Sequence, residues 1–482
     1  MINKHLKQEY FDNTIEIIEK FHIVPYNKSF EDESGILAEP NYYLGPQFDS
    51  GYFRIKNSKK VFHYEDHVKR LDDYYNKNQI DKTKISYEDA IKDSKKKTIV
   101  CMGFHPRSWN VETLRINFFD KLFQDTELLD SMRKGDAFLY LYYGYEADNF
   151  YDPRKPGYPT YDLVFKKTIE DYQLPYNSMI IHSSNALGYV QHSEKHNKSL
   201  DCVKYIYETT YETQTFTCIK GDVDLDYTFD DYIKNCKKAP YKLLRVNRTH
   251  SDYRDMMLIY LYKSGFLKES LIEHNKFIWN KDTFKDAHQN TINHAFNLGL
   301  GDVIKYLKIT DDDIKNIEKM IPLISSDIER NDLLPMADIY SNESIPHDIY
   351  KNTILSWVST SLVHVEDQVF INSSTFNPML YYHPIIYHSN PNTAYRLQKE
   401  GYLSYNWLYN EEKQDTYPFC PGRLAISISE VDSVMNLSKD DLIDKIYENK
   451  HILKFNREKL FTTDTVRRII NRLHSIIFKL EE

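Results

Sequence analysis

Short apolar runs alternate along the chain with longer segments whose apolar residues recur at helical spacing. Runs of strand length, closed by polar or small residues, lie near residues 97–103, 136–143, 178–182, 241–246, 367–371 and 384–388. Helical patterns separate most of them, among them "DYRDMMLIYLYKSGF", which Ser251 or Asp252 would cap and Gly265 would end. Strands that alternate with helices predict an α/β fold built from βαβ units, with a mainly parallel sheet.

Length and composition predict how this α/β chain divides into domains. At 482 residues, with 41% hydrophobic and 14% aromatic residues, the chain is globular and long enough for two separate cores. We expect an N-terminal elaboration over 1–95, α/β domains over 96–238 and 239–460, and a C-terminal helix over 461–482.

Charge and residue spacing exclude several classes of function. The net charge of −9, from 62 basic and 71 acidic residues, gives no global basic field for nucleic acid. Without an apolar run of about 18 residues or a signal-peptide core, we expect a soluble cytoplasmic protein. The 5 Cys and 18 His show no ligand spacing, so we expect no metal site.

Two carboxylates follow the predicted strand "FLYLYY". Glu146 and Asp148 lie where parallel strands of an α/β protein meet their ligands, and a carboxylate there can act as general base toward an acceptor hydroxyl. The competing interpretation is an ordinary pair of surface carboxylates at a strand end. A second acidic run, "GDVDLDYTFDD", could hold a divalent metal through Asp-x-Asp pairs, but a solvated loop explains it better.

A cationic group follows the strand "LLRV". Asn247, Arg248 and Arg254 lie at the predicted start of the next helix, and two guanidinium groups near a helix N-terminus suit a diphosphate. Alternatively, the two arginines pair with Asp252 and Asp255.

Hydroxyl and amide side chains follow the strand "VFI". Ser373, Ser374, Thr375 and Asn377 lie at the start of a short helix, where hydroxyl and free N–H groups could bind a ribose or a phosphate. The same pattern is also typical of an ordinary helix cap, which the pattern alone favours.

The order of these segments resembles a known family. The succession "KLLRVNRTHSDYRDMMLIYLYKSGFL", "FINSSTFNPMLYYHPIIYHSNPNTAYRLQKEGYLSYNWL", "GRLAISISEVDSVMNLSKDDL" and "ILKFNREKL" is similar to the fucosyltransferase-like glycosyltransferases of viruses and phages. The resemblance covers residues 240–460 well and 95–240 in outline. It implies a GT-B architecture, with two Rossmann-like domains facing across a cleft. It also implies metal-independent transfer of a sugar from a GDP- or UDP-sugar to a hydroxyl acceptor, which could be a glycan, a protein or a modified DNA base.

The resemblance also implies roles for particular residues. Asn247, Arg248 and Arg254 would lie near the donor diphosphate, and Glu146 would take the place of the acceptor-activating carboxylate. Pro378 and Pro384 would fall on the family's prolines.

The chain departs from the family pattern in the donor segment. Ser373-Ser374 replace a Glu-Lys pair, Asn377 replaces a second Lys, and Tyr253 replaces a His. Each lost charge removes a contact of about 1.5–3 kcal/mol. The alternative function is therefore a catalytically degenerate fold that serves as a binding or structural protein, in the host cytoplasm or the virion.

Overall fold

A computed structural model gives the arrangement of most of the chain. It describes residues 4–26, 30–32, 35–40, 70, 73–74, 76–78, 85–104, 118–143, 161–183, 202–207, 226–247, 251–274, 281–320, 323–324, 347–360, 369, 371, 373–462 and 465–478. The chain forms two compact units, one of Met1–Thr210 with Asp464–Glu482 and one of Tyr211–Thr463. The division therefore falls before the predicted position near residue 238.

The strands in the described part of the chain are β1 Phe21–Pro25, β2 Phe30–Asp32, β3 Gly35–Pro40, β4 Lys97–Phe104, β5 Ala137–Tyr143, β6 Met179–Ser183, β7 Lys204–Tyr207, β8 Leu243–Asn247, β9 Ser270–His274, β10 Leu323–Ile324, β11 Leu355–Ser359 and β12 Ile385–His388. The helices are α1 Lys4–Lys20, α2 Tyr87–Lys92, α3 Asp120–Leu122, α4 Thr126–Lys134, α5 Tyr161–Tyr172, α6 Phe229–Lys238, α7 Asp252–Ser264, α8 Lys281–Asn297, α9 Gly301–Leu307, α10 Asp311–Met320, α11 His347–Lys351, α12 Ser373–Leu380, α13 Thr393–Lys399, α14 Glu411–Thr416, α15 Cys420–Met435, α16 Lys439–Glu448, α17 Lys450–Thr462 and α18 Thr465–Phe478. A 3₁₀ helix spans Phe266–Glu269.

The first unit is built on a sheet in which β4, β5, β6 and β7 lie side by side and parallel. β1 pairs in parallel with the first part of β4, and β3 pairs antiparallel with its last three residues. Residues from the predicted N-terminal elaboration thus form part of this sheet.

Helices cover both faces of the first sheet. Alternate residues of β4 point to opposite sides. Ile99 lies in a core cluster with residues of α1 and α18, and Val100 lies in a second cluster with residues of α2, α4 and α5. The C-terminal helix α18 therefore belongs to the first unit, where His474 Nε2 lies 2.8 Å from a carboxylate oxygen of Glu16 in α1.

The second unit contains a sheet in the order β10-β9-β8-β11-β12. All neighbouring pairs are parallel except β10 with β9. Every residue of β11 and β12 is buried, as expected for parallel strands covered by helices on both faces. Helix α6 belongs to this unit, because the Tyr232 hydroxyl donates to the Ile354 carbonyl at 2.7 Å.

The predicted α/β class with parallel sheets is confirmed. Five of the six predicted strands correspond to β4, β5, β6, β8 and β12. The strand expected at 367–371 does not appear in the described residues there, Val369 and Ile371, which are buried but have no strand structure. The strand between β8 and β12 is β11, with the sequence "LSWVS".

Candidate functional site at the carboxyl edge of the second sheet

The carboxyl edge of the second sheet contains a topological switch point. From β8 the chain passes through α7 to β9 on one side, and it later returns to β11 on the other side. In open α/β sheets, ligands bind outside the carboxyl ends of the two strands between which the order reverses. The ends of β8, β11 and the neighbouring β12 are Asn247, Ser359 and His388, so polar residues meet at this edge.

Helix α7 places an arginine at the switch point. The helix begins as predicted at Ser251, whose Oγ accepts the Arg254 N–H at 3.3 Å, and ends at Gly265, which adopts φ 81°. Arg254 lies in the first turn, with its side chain 6% exposed. Its Nη2 donates to the Ser359 carbonyl at 2.9 Å, so the guanidinium links α7 to the end of β11.

A second arginine reaches the same edge from α15. Arg423 is fully buried, its Nε donates to the Ser389 carbonyl at 2.9 Å, and its Nη1 donates to the Tyr417 carbonyl at 3.0 Å. Ser389 directly follows β12. Arg423 therefore holds the chain that leaves β12 against the loop that precedes α15.

His388 lies among these arginines, and their positive charges affect its pKa. It is fully buried, its Nδ1 is 3.3 Å from Ser359 Oγ, and its Nε2 is 3.8 Å from Cys420 Sγ. Burial lowers the pKa of His388 to about 3, and the positive charges of Arg423, Arg254 and Arg245 add to this shift. The imidazole is therefore neutral at physiological pH.

A third arginine and one carboxyl group complete this cluster. Arg245 in β8 donates from Nη2 to the Arg254 carbonyl, and although burial lowers its pKa to about 9, it stays protonated at neutral pH. Burial raises the pKa of Asp255 to about 8 against the opposing effect of Arg245 and Arg254, and nearby Asp252 adds to the increase. The cluster holds three buried arginines, and the carboxyl groups that face them are Asp255 and, beside Arg423, Asp415, so positive charges are in excess and favour an anionic ligand.

The predicted site residues fall into three groups. Glu146, Asp148 and Arg248 lie outside the described residues. Asn247 is the last residue of β8, and Arg254 lies in the first turn of α7. Arg254 and Asp255 each affect the pKa of the other, although burial has the larger effect on both.

The remaining predicted residues lie in α12. Ser373 and Ser374 are its first two residues, and Thr375 and Asn377 are buried at 0% and 2% exposure. Within the described part of the chain, Thr375 Oγ1 and Asn377 Oδ1 have no hydrogen-bond partner. Thr375 and Asn377 therefore face the protein interior and present no surface to solvent.

Four residues of the cluster were not among the predicted site residues, namely Arg245, Asp255, His388 and Arg423. His388 directly follows the run "IIY", so its place as a polar residue after an apolar strand could have indicated it. Arg423 stands in "CPGRL", where Pro421 and Gly422 mark the start of a helix, and a helix start was the other available signal. Their association with Arg254 depends on contacts between distant segments, which spacing does not reveal.

Gly422 sets the geometry of the loop that accepts the Arg423 hydrogen bonds. A Cβ at this position would lie 2.0 Å from Cε1 of Tyr417, so the ring packs directly on the glycine backbone.

Gly422→Ala is expected to destabilise the protein by about 1–3 kcal/mol, since the Tyr417 ring would have to move. Denaturant unfolding measures the change. The matched control is Gly301→Ala, where a Cβ meets nothing within 4 Å and the free energy of unfolding should hardly change. An equal effect of both substitutions would contradict this account.

The described residues contain no group of three or more His, Cys, Asp or Glu side chains arranged to hold a metal ion. No helix in the same part of the chain is long and apolar enough to cross a membrane. Compared with protein-family models, with curated proteins and with solved structures, the chain gives no match.

Proposed function

We propose that this protein is a metal-independent glycosyltransferase of the GT-B type, which binds a nucleotide sugar through its second unit. The donor would be a GDP- or UDP-sugar, and the acceptor would be a hydroxyl group on a glycan, a protein or a modified DNA base. The proposal combines the order of motifs in residues 240–460 with the arrangement of charge in the second unit.

One observation carries the proposal: excess buried positive charge lies at the switch point of a parallel sheet. Arg254 bonds to the end of β11 and Arg423 to the residue after β12. A diphosphate is an anion that such a site stabilises, through positive charge and through free N–H groups at a helix start. Arg248, which follows β8 directly in the sequence, would supply a further cation.

Titration with nucleotide sugars tests the proposal. We expect a UDP- or GDP-sugar to bind the wild-type protein in isothermal calorimetry and to raise its melting temperature. Arg248→Ala should weaken that binding by about 10- to 100-fold, since a charge-assisted bond contributes about 1.5–3 kcal/mol. Transfer is then measured as release of the free nucleotide in the presence of candidate acceptors.

Arg472→Ala provides the matched control for this titration. Arg472 is exposed on α18 in the first unit, so its loss should leave nucleotide affinity unchanged. Equal weakening by both substitutions would indicate a non-specific charge effect, and it would remove Arg248 from the proposed site.

The alternative, a non-catalytic binding or structural protein, is favoured by a different observation. The guanidinium groups of Arg245, Arg254 and Arg423 all donate to main-chain carbonyls of the second unit. Such bonds suit arginines that hold the fold together without any ligand. If the folded protein binds none of the nucleotide sugars at millimolar concentration, this alternative is the better account.

A further inference from the structure

A small polar cavity lies in the second unit between the end of β12 and α14. Its volume is about 10 Å³, which is enough for one water molecule. Its polar lining comes mainly from Glu411, Gln414 and Asp415 on α14, with Tyr387, Ser389 and Tyr409. The three α14 residues are spaced i, i+3 and i+4, which brings them to one face of the helix, and all three are buried.

Each of the two carboxylates that line this cavity has lone pairs left after its hydrogen bonds. Among the described residues, Glu411 accepts bonds only at Oε2, from the Ser404 hydroxyl and the Tyr405 N–H. Asp415 accepts the Ala394 and Tyr395 N–H groups, both at 2.9 Å, one at each carboxylate oxygen. Since a carboxylate offers about four lone-pair sites, each group can bind a further partner.

Two more oxygen atoms on the cavity wall have no hydrogen-bond partner within the described part of the chain. They are Oε1 of Gln414 and Oη of Tyr387, and these residues are 4% and 3% exposed. The orientation of the Gln414 amide is fixed, because its Nε2 donates to the Tyr387 carbonyl. A buried polar atom without a partner is costly, so this wall favours a bound species.

The charge in the cavity is also unbalanced. The positive charge of Arg423 acts on Asp415. The other titratable groups on the wall are the phenols of Tyr387 and Tyr409, and the lining includes no Lys, Arg or His. Two buried carboxylates with the single positive charge of Arg423 beside them leave an excess negative charge, which a cation would balance.

We propose that this cavity binds a single divalent cation of the Ca²⁺ type, held by Glu411, Asp415, Gln414 Oε1 and Tyr387 Oη. Every potential ligand is an oxygen, which suits a hard cation and disfavours zinc. Mg²⁺ keeps several water molecules in its coordination shell, for which a space of one-water size leaves no room. Because α14 and the start of α13 both contribute to the wall, the cation would stabilise this region and take no part in sugar transfer.

Terbium luminescence tests this site directly, with the full-length protein. Tb³⁺ replaces Ca²⁺ at oxygen sites, and Tyr387 and Tyr409 on the wall can sensitise its emission. We expect saturable emission that added Ca²⁺ displaces. Glu411→Gln should lower the affinity for both ions at least tenfold, whereas the matched control Glu412→Gln, on the exposed face of α14, should leave it unchanged.

A second variant keeps the test valid if Glu411→Gln folds poorly. Tyr387→Phe removes only the hydroxyl, and it should weaken Ca²⁺ binding several-fold without loss of structure, which circular dichroism checks. The proposal is wrong if neither ion binds at millimolar concentration. It is also wrong if Glu411→Gln and Glu412→Gln have the same affinity, because the ions would then bind on the surface.

Discussion

Replacement of Trp357 by alanine is expected to lower the free energy of unfolding of the second unit by about 3–5 kcal/mol. Trp357 lies in β11, between β8 and β12, and is 1% exposed. Its ring meets Tyr260 of α7 edge to face, with centroids 6.0 Å apart. Its Nε1 donates to Ser427 Oγ at 2.7 Å, and this hydroxyl donates to the Tyr387 carbonyl at 3.2 Å. The substitution would therefore open a cavity and break a link between β11, α15 and β12.

Urea unfolding, followed by circular dichroism, measures the effect of Trp357→Ala. Trp357→Phe keeps most of the apolar surface and loses the N–H donor, so we expect a smaller loss of roughly 1–3 kcal/mol. Phe455→Ala, at a side chain that is 43% exposed in the same unit, is the surface control and should cost less than 1 kcal/mol, on the order expected for surface sites. A loss below about 1.5 kcal/mol for Trp357→Ala would show that β11 does not hold the core together.

The strands that the sequence predicts well are those with continuous apolar runs. "KKTIVCMGF" and "DAFLYLYYGYE" become β4 and β5, because parallel strands covered on both faces contain few polar residues. The cap at Ser251 and the stop at Gly265 are also local signals, and both are confirmed in α7. Local chemistry determines these features, so a single sequence is enough to find them.

The strands that the sequence does not predict depend on their neighbours. β9, "SLIEH", and β7, "KYIY", are short and partly polar, and pairing with β8 and β6 makes them part of a sheet. β1 lies far from β4 in sequence, and its "FHIVP" has no distinctive pattern. The segment "LSKDDLIDKIYENKHILKFNREKLF" forms two helices, α16 and α17, which Asn449 separates.

The candidate site was predictable only in part, for the same reason. Arg254 follows from the helix start after β8, and it lies in the first turn of α7. Arg423 lies 169 positions later in the numbering, and only the fold brings it near Arg254. The Glu411 cavity depends on a six-residue helix that no periodic pattern indicates. Burial also decides the chemistry, since Glu411 and Asp255 would be ordinary ionised carboxylates in solvent.

The enzyme hypothesis depends most on Glu146, which follows the strand "FLYLYY" and lies outside the described residues. A transfer that inverts the anomeric centre needs one base within about 3 Å of the acceptor hydroxyl. If Glu146 is that base, Glu146→Gln should lower kcat by about 10²–10⁴ and leave donor affinity nearly unchanged, because proton transfer is lost and binding is not. Turnover is measured as nucleotide release, and donor affinity by calorimetry.

The control variants show whether a loss of turnover in Glu146→Gln is specific to that carboxylate. Glu127→Gln removes an exposed carboxylate from α4 in the same unit and should leave kcat unchanged. Asp148 is the next candidate. If Glu146→Gln retains full turnover, we expect Asp148→Asn to lower kcat instead. If wild-type protein binds a nucleotide sugar and neither variant alters turnover, an acceptor base must come from elsewhere in the chain. If the wild-type protein binds the donor without any transfer, the cationic edge of the second sheet serves binding alone, because a site can keep its charge complementarity after its base is lost.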